Sequence, residues 1–549
     1  MEENYSDAIN DIIKYLQKLD SRMARIESHL ELSQNEEETK PPSALPDNFS
    51  EKADSLELHI GQYWFAKVGI VSIIFGMAFL LMQPYGSLPE FFPSLIGYIL
   101  AGVLFLLSRY WKNSYTLISQ YLFGAALILL YFSTMRLHFF EVNQAVPDKN
   151  IVLVLLSVVT IIHLYISHRR ESVYLTGIGL TLGYLTAILS ELPFFVLTAI
   201  VLLSIISVFY RIKSNWRNLF IYGIILTFIT HLIWAINDPV IGNKIQIISS
   251  PGVHVYFILL YGIIFSLGNL FRKSELKEDF SLIISTFLIS FGFFGLFLLL
   301  TLMGFKDTLA LSNLIASIVY LLLSVLFWNN EKSKYSTFFY AIVGYSALSI
   351  AIIAQFTKPD FFIWLCWQSL LVISTAIWFR SKIIIIANFI IYLIILIAFL
   401  VMAGSVNAIS LSFGIVALFS ARILNWQKNK LELKTELMRN SYLTVAFFVF
   451  PYALYKSIPG DFVILSWLGV GVLYYLLSVV LKNKKYRWMA LFTFILTVIY
   501  ILIIGIIQLE PVLRIVSFFV LGIVLIITSI AYTKMRSKNL NKTAEQKSG

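Results

Sequence analysis

From Gln62 almost to the C-terminus the chain is a succession of apolar stretches, each close to the length a helix needs to cross a bilayer. A span takes roughly 20 mostly apolar residues, because an α-helix rises about 1.5 Å per residue and the hydrocarbon core is about 30 Å thick. About eighteen such stretches follow one another, the first near 62–82 and the last near 511–532. Two close pairs, 172–190 with 192–211 and 382–403 with 406–424, would each also read as one broken helix. Inside lipid the backbone N–H and C=O groups must be satisfied within the element itself, so the apolar runs are read as helices. The expected fold class is therefore all-α, a polytopic transmembrane array of helical hairpins. Composition agrees: 58% of residues are hydrophobic and only 13% charged, against about 25% charged in soluble domains. An ordinary cytosolic enzyme is excluded, and a single cysteine, Cys366, excludes a disulfide scaffold.

The charge is unevenly divided. Residues 1–60 hold 6 Lys and Arg against 14 Asp and Glu, while the whole chain is +11. A small acidic head thus precedes a basic, apolar body. The head has no basic n-region followed by a short apolar core, so it does not read as a signal peptide. In it Ile9, Ile12, Leu16, Leu19, Met23, Ile26 and Leu30 recur with the alternating three–four spacing of a coiled-coil seam. Residues 1–34 are expected to form a short cytosolic coiled-coil or amphipathic helix, and residues 9–30 to mediate self-association or to dock a partner helix. An acidic, Pro-containing linker follows at 35–58, then the transmembrane domain at 59–532 and a basic cytosolic tail at 533–549.

Lys and Arg mark the cytosolic ends of membrane helices. Here alternate junctions are basic, from Arg109 and Lys112 through Arg169 and Arg170 to the cluster Lys482–Arg487. The opposite junctions hold scattered cations only, among them Arg136, Lys149, Lys244 and Arg514. This asymmetry predicts both termini in the cytosol and an even number of spans. It also explains the net positive charge without a nucleic-acid partner. The opposite junctions carry acids instead: Glu90, Glu141 with Asp148, Glu191, Asp238, Asp307, Asp360, Asp461 and Glu510. Helix capping against the positive end of the dipole is the expected role of most of them.

Charge near the bilayer centre marks function by default, and the helix centres are almost free of it. The exceptions lie near the ends: Arg136 and His138 with Glu141 in reach, and Glu510 four residues before Arg514, on one helical face. These five form the candidate functional polar cluster. His163 and His231 are expected as interfacial or hydrogen-bonded histidines. The amides Asn269, Asn313, Gln355, Gln368 and Asn388 are expected to join helices, and Gly179 with Gly183 to allow close helix packing. No catalytic, cofactor or metal motif is found: the sequence has no HExxH, no Walker sequence and no Gly-x-Ser-x-Gly.

Several segments carry a resemblance. Glu57, Gly61, Trp64, Lys67, Gly69 and Gly76 open the first span; Gly179 and Gly183 lie in a later one; Trp367 and Gln368 centre another; Arg514 and Gly522 lie near the end. Together they resemble the DUF2339 family of bacterial membrane proteins, which have no assigned biochemical role. The resemblance implies an N-terminal coiled coil joined to very many transmembrane helices, in the bacterial inner membrane. The chain departs from the family pattern at Tyr500 and Gly505, where a Lys and an Asp are expected, and near Phe92–Pro93, where an Arg is expected. A role for those charges does not carry over.

Three readings of function follow. The leading one is non-enzymatic: a transporter- or flippase-like body that handles an amphipathic or lipid-linked envelope molecule, with membrane lipids as its surroundings. The second is a membrane scaffold recruiting partners through the coiled coil. The third is a membrane-embedded glycosyl- or acyltransferase using an outer acid such as Glu90 or Asp238 as base, which requires a cavity at that acid.

Overall fold

A computed structural model describes Gly76, residues 89–524 with breaks at 115, 141–143, 240–241, 249, 273–278, 332, 403–410, 427–434 and 506–514, and residues 526–527. The expected coiled coil, the linker, the first span apart from Gly76, and the basic tail lie outside the described residues. So do Glu57, Gly61, Trp64, Lys67, Gly69, Glu141, Glu510 and Arg514.

The protein is an all-α polytopic membrane protein. The helices are α1 (Phe92–Tyr110), α2 (Thr116–Phe139), α3 (Lys149–Arg169), α4 (Val173–Ser190), α5 (Pro193–Ser214), α6 (Arg217–Ala235) and α7 (His254–Leu270). Next come α8 (Phe280–Gly304), then α9 (Leu309–Glu331), α10 (Lys334–Gln355), α11 (Asp360–Trp378) and α12 (Lys382–Met402). The series continues with α13 (Leu411–Trp426), α14 (Thr435–Ser457), α15 (Val463–Val480) and α16 (Lys484–Tyr500), and ends with α17 (Ile515–Val524). Among the described residues 13 helices are long and apolar enough to cross a membrane, while α7, α13 and α17 are apolar but shorter. Helix α14 has the length, at 23 residues, but carries Glu436, Arg439, Lys456 and an internal Pro451. The described residues thus hold 13 full-length candidate spans, where about eighteen are expected over the whole chain. The pair 172–190 and 192–211 forms two helices, separated where Glu191 takes a left-handed φ of 58° and Pro193 starts α5.

The outward faces suit lipid. On α12, Ile383, Ile386, Ile390, Ile394, Ile397 and Val401 are all exposed at helical spacing, while Ile385, Asn388, Tyr392 and Phe399 face inward. So long an uncovered apolar stripe is stable only against hydrocarbon. Close packing comes from small residues: a Cβ on Gly179 would lie 2.8 Å from Leu164 of α3, and one on Gly183 would lie 2.8 Å from Leu203 of α5.

Consecutive helices joined at a basic connection pack closely along their length, as in α1/α2, α3/α4, α9/α10, α11/α12, α13/α14 and α15/α16. Helices joined at the opposite end touch more sparsely, and α7 packs more extensively against α5 and α8 than against α6, which it meets through Phe220, His231 and Trp234. Three basic connections share one turn. Glu171, Arg380 and Lys482 take left-handed φ of 48–51°, and the next residue's N–H returns to a carbonyl five positions back: Ser172 to Ser167, Ser381 to Ala376, Asn483 to Ser478. That next residue then caps the following helix by accepting from Leu175, Ile384 or Lys485 N–H. This is a helix C-terminal turn run directly into an N-cap.

The capping expected of the acids is therefore largely relocated. Asp148 does cap α3, accepting from Asn150 N–H at 2.9 Å. At Asp307, Asp360 and Asp461 no side-chain cap forms. There the free N–H groups bond a preceding backbone carbonyl instead, as Phe362 to Pro359 and Phe462 to Pro459.

Among the described residues there are two large apolar cores and a smaller one, which joins α2, α3 and α4 around Tyr131, Val152 and Leu156. Of the large ones, the first spans α4–α10 around Phe220, Phe265, Phe293 and Phe297; the second spans α10–α16 around Tyr392, Phe413, Leu424 and Tyr474 and takes Leu521 from α17. Helix α10 serves both, giving Tyr340, Val343 and Ala347 to the first and Ala341 and Tyr345 to the second.

Candidate functional site

Two regions gather polar side chains beside apolar surface. At the acidic end, Arg136 is buried in the last turn of α2. His138 Nδ1 donates to the Val146 carbonyl at 3.0 Å and its ring meets Phe139 edge-on. Residues two apart on a helix do not share a face, so Arg136 and His138 do not form one site. What converges here is a different set. Lys149, at the start of α3, pairs with Glu191, at the end of α4, at 2.9 Å, and lies 5.9 Å from the Phe139 ring centroid.

Asp238 joins them from the end of α6. Asn237 and Asp238 both take left-handed φ, 70° and 51°, and their N–H groups close the helix on Trp234 and Ile233 carbonyls. This turns the Asp238 side chain inward, where it is 3% exposed and neither oxygen has a hydrogen-bond partner. Burial pushes its carboxyl up to about 6; the charge of Glu191 adds to this and Lys149 opposes it. Nothing in the sequence singles out Lys149, but Asn-Asp-Pro after an apolar helix is the signal of a left-handed helix end.

Of the two alternatives for the histidines, interfacial or hydrogen-bonded, His231 takes the second. His163 and His231 are fully buried, and His231 meets His254, which sequence reasoning missed, with Nε2 3.4 Å from Nδ1. Arg211, counted among the basic-end cations, is also fully buried and donates to Asn215 at 2.9 Å.

The second region is a groove of about 670 Å³ between α14 and α16. Leu443, Phe447, Phe448, Phe492, Ile495 and Ile499 make its trough, and Asn440, Lys485 and Trp488 stand at its basic end. Lys485 Nζ donates to Asn440 Oδ1 at 2.5 Å and lies 3.9 Å from Glu436. Lys485 and Ile499 are fourteen residues apart, so the trough runs roughly 21 Å along the helix. A second cleft, of about 270 Å³, lies among α3, α4 and α5 beside Gly183 and Thr198. Neither cleft reaches Glu90 or Asp238. Among the described residues no group of three His, Cys, Asp or Glu side chains could hold a metal ion.

Residues 61–458 match the family described as "Predicted membrane protein (DUF2339)". The chain belongs to the DUF2339 family. No curated protein and no solved structure matches it. Of the positions that carried the DUF2339 resemblance, Gly179 and Gly183 sit in the tight α3/α4/α5 contacts. Gln368 ties α11 to α10, donating to the Tyr345 carbonyl at 2.9 Å. Trp367 is partly exposed, and Gly76 and Gly522 have no neighbour near their missing Cβ among the described residues.

Proposed function

We propose that this DUF2339 protein binds and moves an amphipathic molecule with an anionic head and a long apolar tail, in the manner of a lipid transporter or flippase. The observation that carries this reading is the α14/α16 groove: apolar along its trough, open on the lipid side, and ended by Lys485, Asn440 and Trp488. An ammonium at one end of a hydrocarbon-lined trough complements a lipid phosphate or carboxylate, while the tail displaces bulk lipid from the trough. The alternation of basic junctions supports a bacterial inner-membrane setting with both termini in the cytosol, which puts the charged end of the groove at the cytosolic leaflet. The heptad spacing of residues 9–30 supports self-association or docking of a partner helix there, and deletion of residues 1–34 separates the two roles: a transporter keeps its lipid binding, a pure scaffold loses its phenotype.

Native mass spectrometry of the purified full chain with anionic or zwitterionic phospholipid tests the groove. Lys485→Ala is expected to lower retention of the anionic lipid about fivefold and to leave the zwitterionic lipid unchanged, the loss of one charge-assisted contact of about 1 kcal/mol. Equal retention of the anionic lipid by wild type and variant would sink the reading.

A further inference from the structure

Helix α7 is the central helix of the first core, packed against α5, α8 and α9. Yet His254, Tyr261, Ser266 and Asn269 are all buried along it. At 1.5 Å per residue they span roughly 22 Å of its length. Their partners continue the polar line. Tyr340 of α10 and Ser266 join through their hydroxyls at 2.7 Å. Asn269 donates to Ser285 of α8 at 2.9 Å. Tyr320 of α9 reaches to 3.7 Å from where a Cβ of Gly262 would stand, so the missing side chain leaves room for its hydroxyl.

Hydrogen-bond chemistry fixes the protons at the acidic end. The Ile248 carbonyl only accepts, so His254 Nε2, 3.2 Å away, carries a hydrogen. In a neutral ring Nδ1 is then bare and accepts from His231 Nε2–H. His231 Nδ1 is left as a bare, buried lone pair without a partner. Beyond it toward the basic end, the Tyr261 and Tyr320 hydroxyls are also buried without a partner, and the Tyr261 ring lies 5.7 Å from that of His231. The π turn Leu288–Gly292 of α8 packs against α6, α7 and α10 beside this line; such turns recur at functional sites.

We propose that the polar line along α7 is a path for protons across the membrane, gated at the acidic end by the His231–His254 pair. A hydronium ion, passed along water and the tyrosine hydroxyls, gives its proton to His231 Nδ1. The Nε2 proton of His231 passes to Nδ1 of His254, and His254 sheds its own Nε2 proton to water outside. One proton enters and one leaves; both rings end neutral in the opposite tautomer, and reorientation of the rings restores them for the next proton. The titratable group facing the pair is Tyr261 on α7, and Asp238, seven residues after His231 in the chain, interacts with Glu191 of α4 and Lys149 of α3. Tyr184 of α4, bonded to Thr227, and Tyr320 and Tyr340 line the inner part.

The full chain is reconstituted in liposomes containing a trapped pH dye, and a potassium–valinomycin potential drives proton entry. Wild type is expected to acidify the lumen at least tenfold faster than protein-free liposomes. His231→Phe should return the rate to the protein-free level. Tyr320→Phe, which removes one hydroxyl and keeps the ring, should lower it about fivefold and serves if the histidine variant does not fold. A wild-type rate equal to that of empty liposomes overturns the proposal, as does a folded His231→Phe or Tyr320→Phe protein conducting like wild type.

Discussion

The two cores that meet at α10 differ in which buried polar groups go without a partner. In the α10–α16 half the amides and the Tyr392 hydroxyl are bonded across helices, Gln368 to Tyr345 and Ser349, Asn388 to Ser369 and Tyr442, Tyr392 to the Phe413 carbonyl. Small hydroxyls such as Ser420 and Ser478 are left without a partner there. In the α4–α10 half His231 Nδ1, Tyr261 and Tyr320 are buried without partners. A satisfied network in a dry interior acts as glue and fixes helix positions, whereas an unsatisfied group is costly unless something mobile meets it. The first half therefore suits conduction, and the second offers a fixed wall on which a lipid-facing groove can be held.

The rigid half is most easily broken at its tightest contact. A Cβ at Gly471 of α15 would collide with the Phe494 ring of α16, so Gly471→Val is expected to destabilise by about 3 kcal/mol. The thermal midpoint of the purified protein should fall, and lipid retention with it, because α16 lines the groove. Retention of both would mean that α15 and α16 are not held as rigidly as their packing implies.

A smaller effect sharpens the other half. An Asp carboxyl titrates near about 3.9 in an unfolded chain, and that of Asp238 is pushed up to about 6 in the fold. Between these values the native state holds more protons than the unfolded one, so stability falls as pH rises from 4 to 6 and stays low above. Going from pH 7 to pH 4.5 should stabilise the protein on the order of 1 kcal/mol, and Asp238→Asn should remove that dependence. Thermal unfolding at the two pH values checks both. The smallest effect is at Lys149. Lys149→Gln should cost under about 1 kcal/mol, as for other partly exposed ion pairs. It should also move the Asp238 transition to higher pH, whereas Glu191→Gln should move it lower.

Much of this architecture is written locally. Apolar run length places the helices, and the Gly179–Gly183 pair announces the close α3/α4/α5 approach. The side chains at the candidate sites are less legible, for a physical reason. Whether a group near a helix end is wet depends on how far its neighbours overlap it, and spacing along one chain does not report that. His231 and Arg211 look interfacial by position but are covered by adjacent helices. His254 looks like the edge of a span and is instead buried against His231. The acids opposite the basic junctions suggest capping because of the helix dipole. Backbone carbonyls contributed by Pro359 and Pro459 take that role beside Asp360 and Asp461, while Glu191, at the end of a helix and not at the start of one, meets Lys149.

The clipped turns at Glu171, Arg380 and Lys482 have a further consequence, for the order in which the protein is made. Each joins two helices that are neighbours in sequence and closely packed, so their contacts close short loops, which form early. Cross-linking between α15 and α16 is accordingly expected in ribosome-arrested chains as soon as α16 has emerged. Helix α7 obeys a different timetable: its partners α5 and α8 lie on either side of it in the chain, and it must wait for α8. The array is thus assembled two helices at a time, with the helix that bears the buried histidine and tyrosine locked in only after its neighbours have arrived.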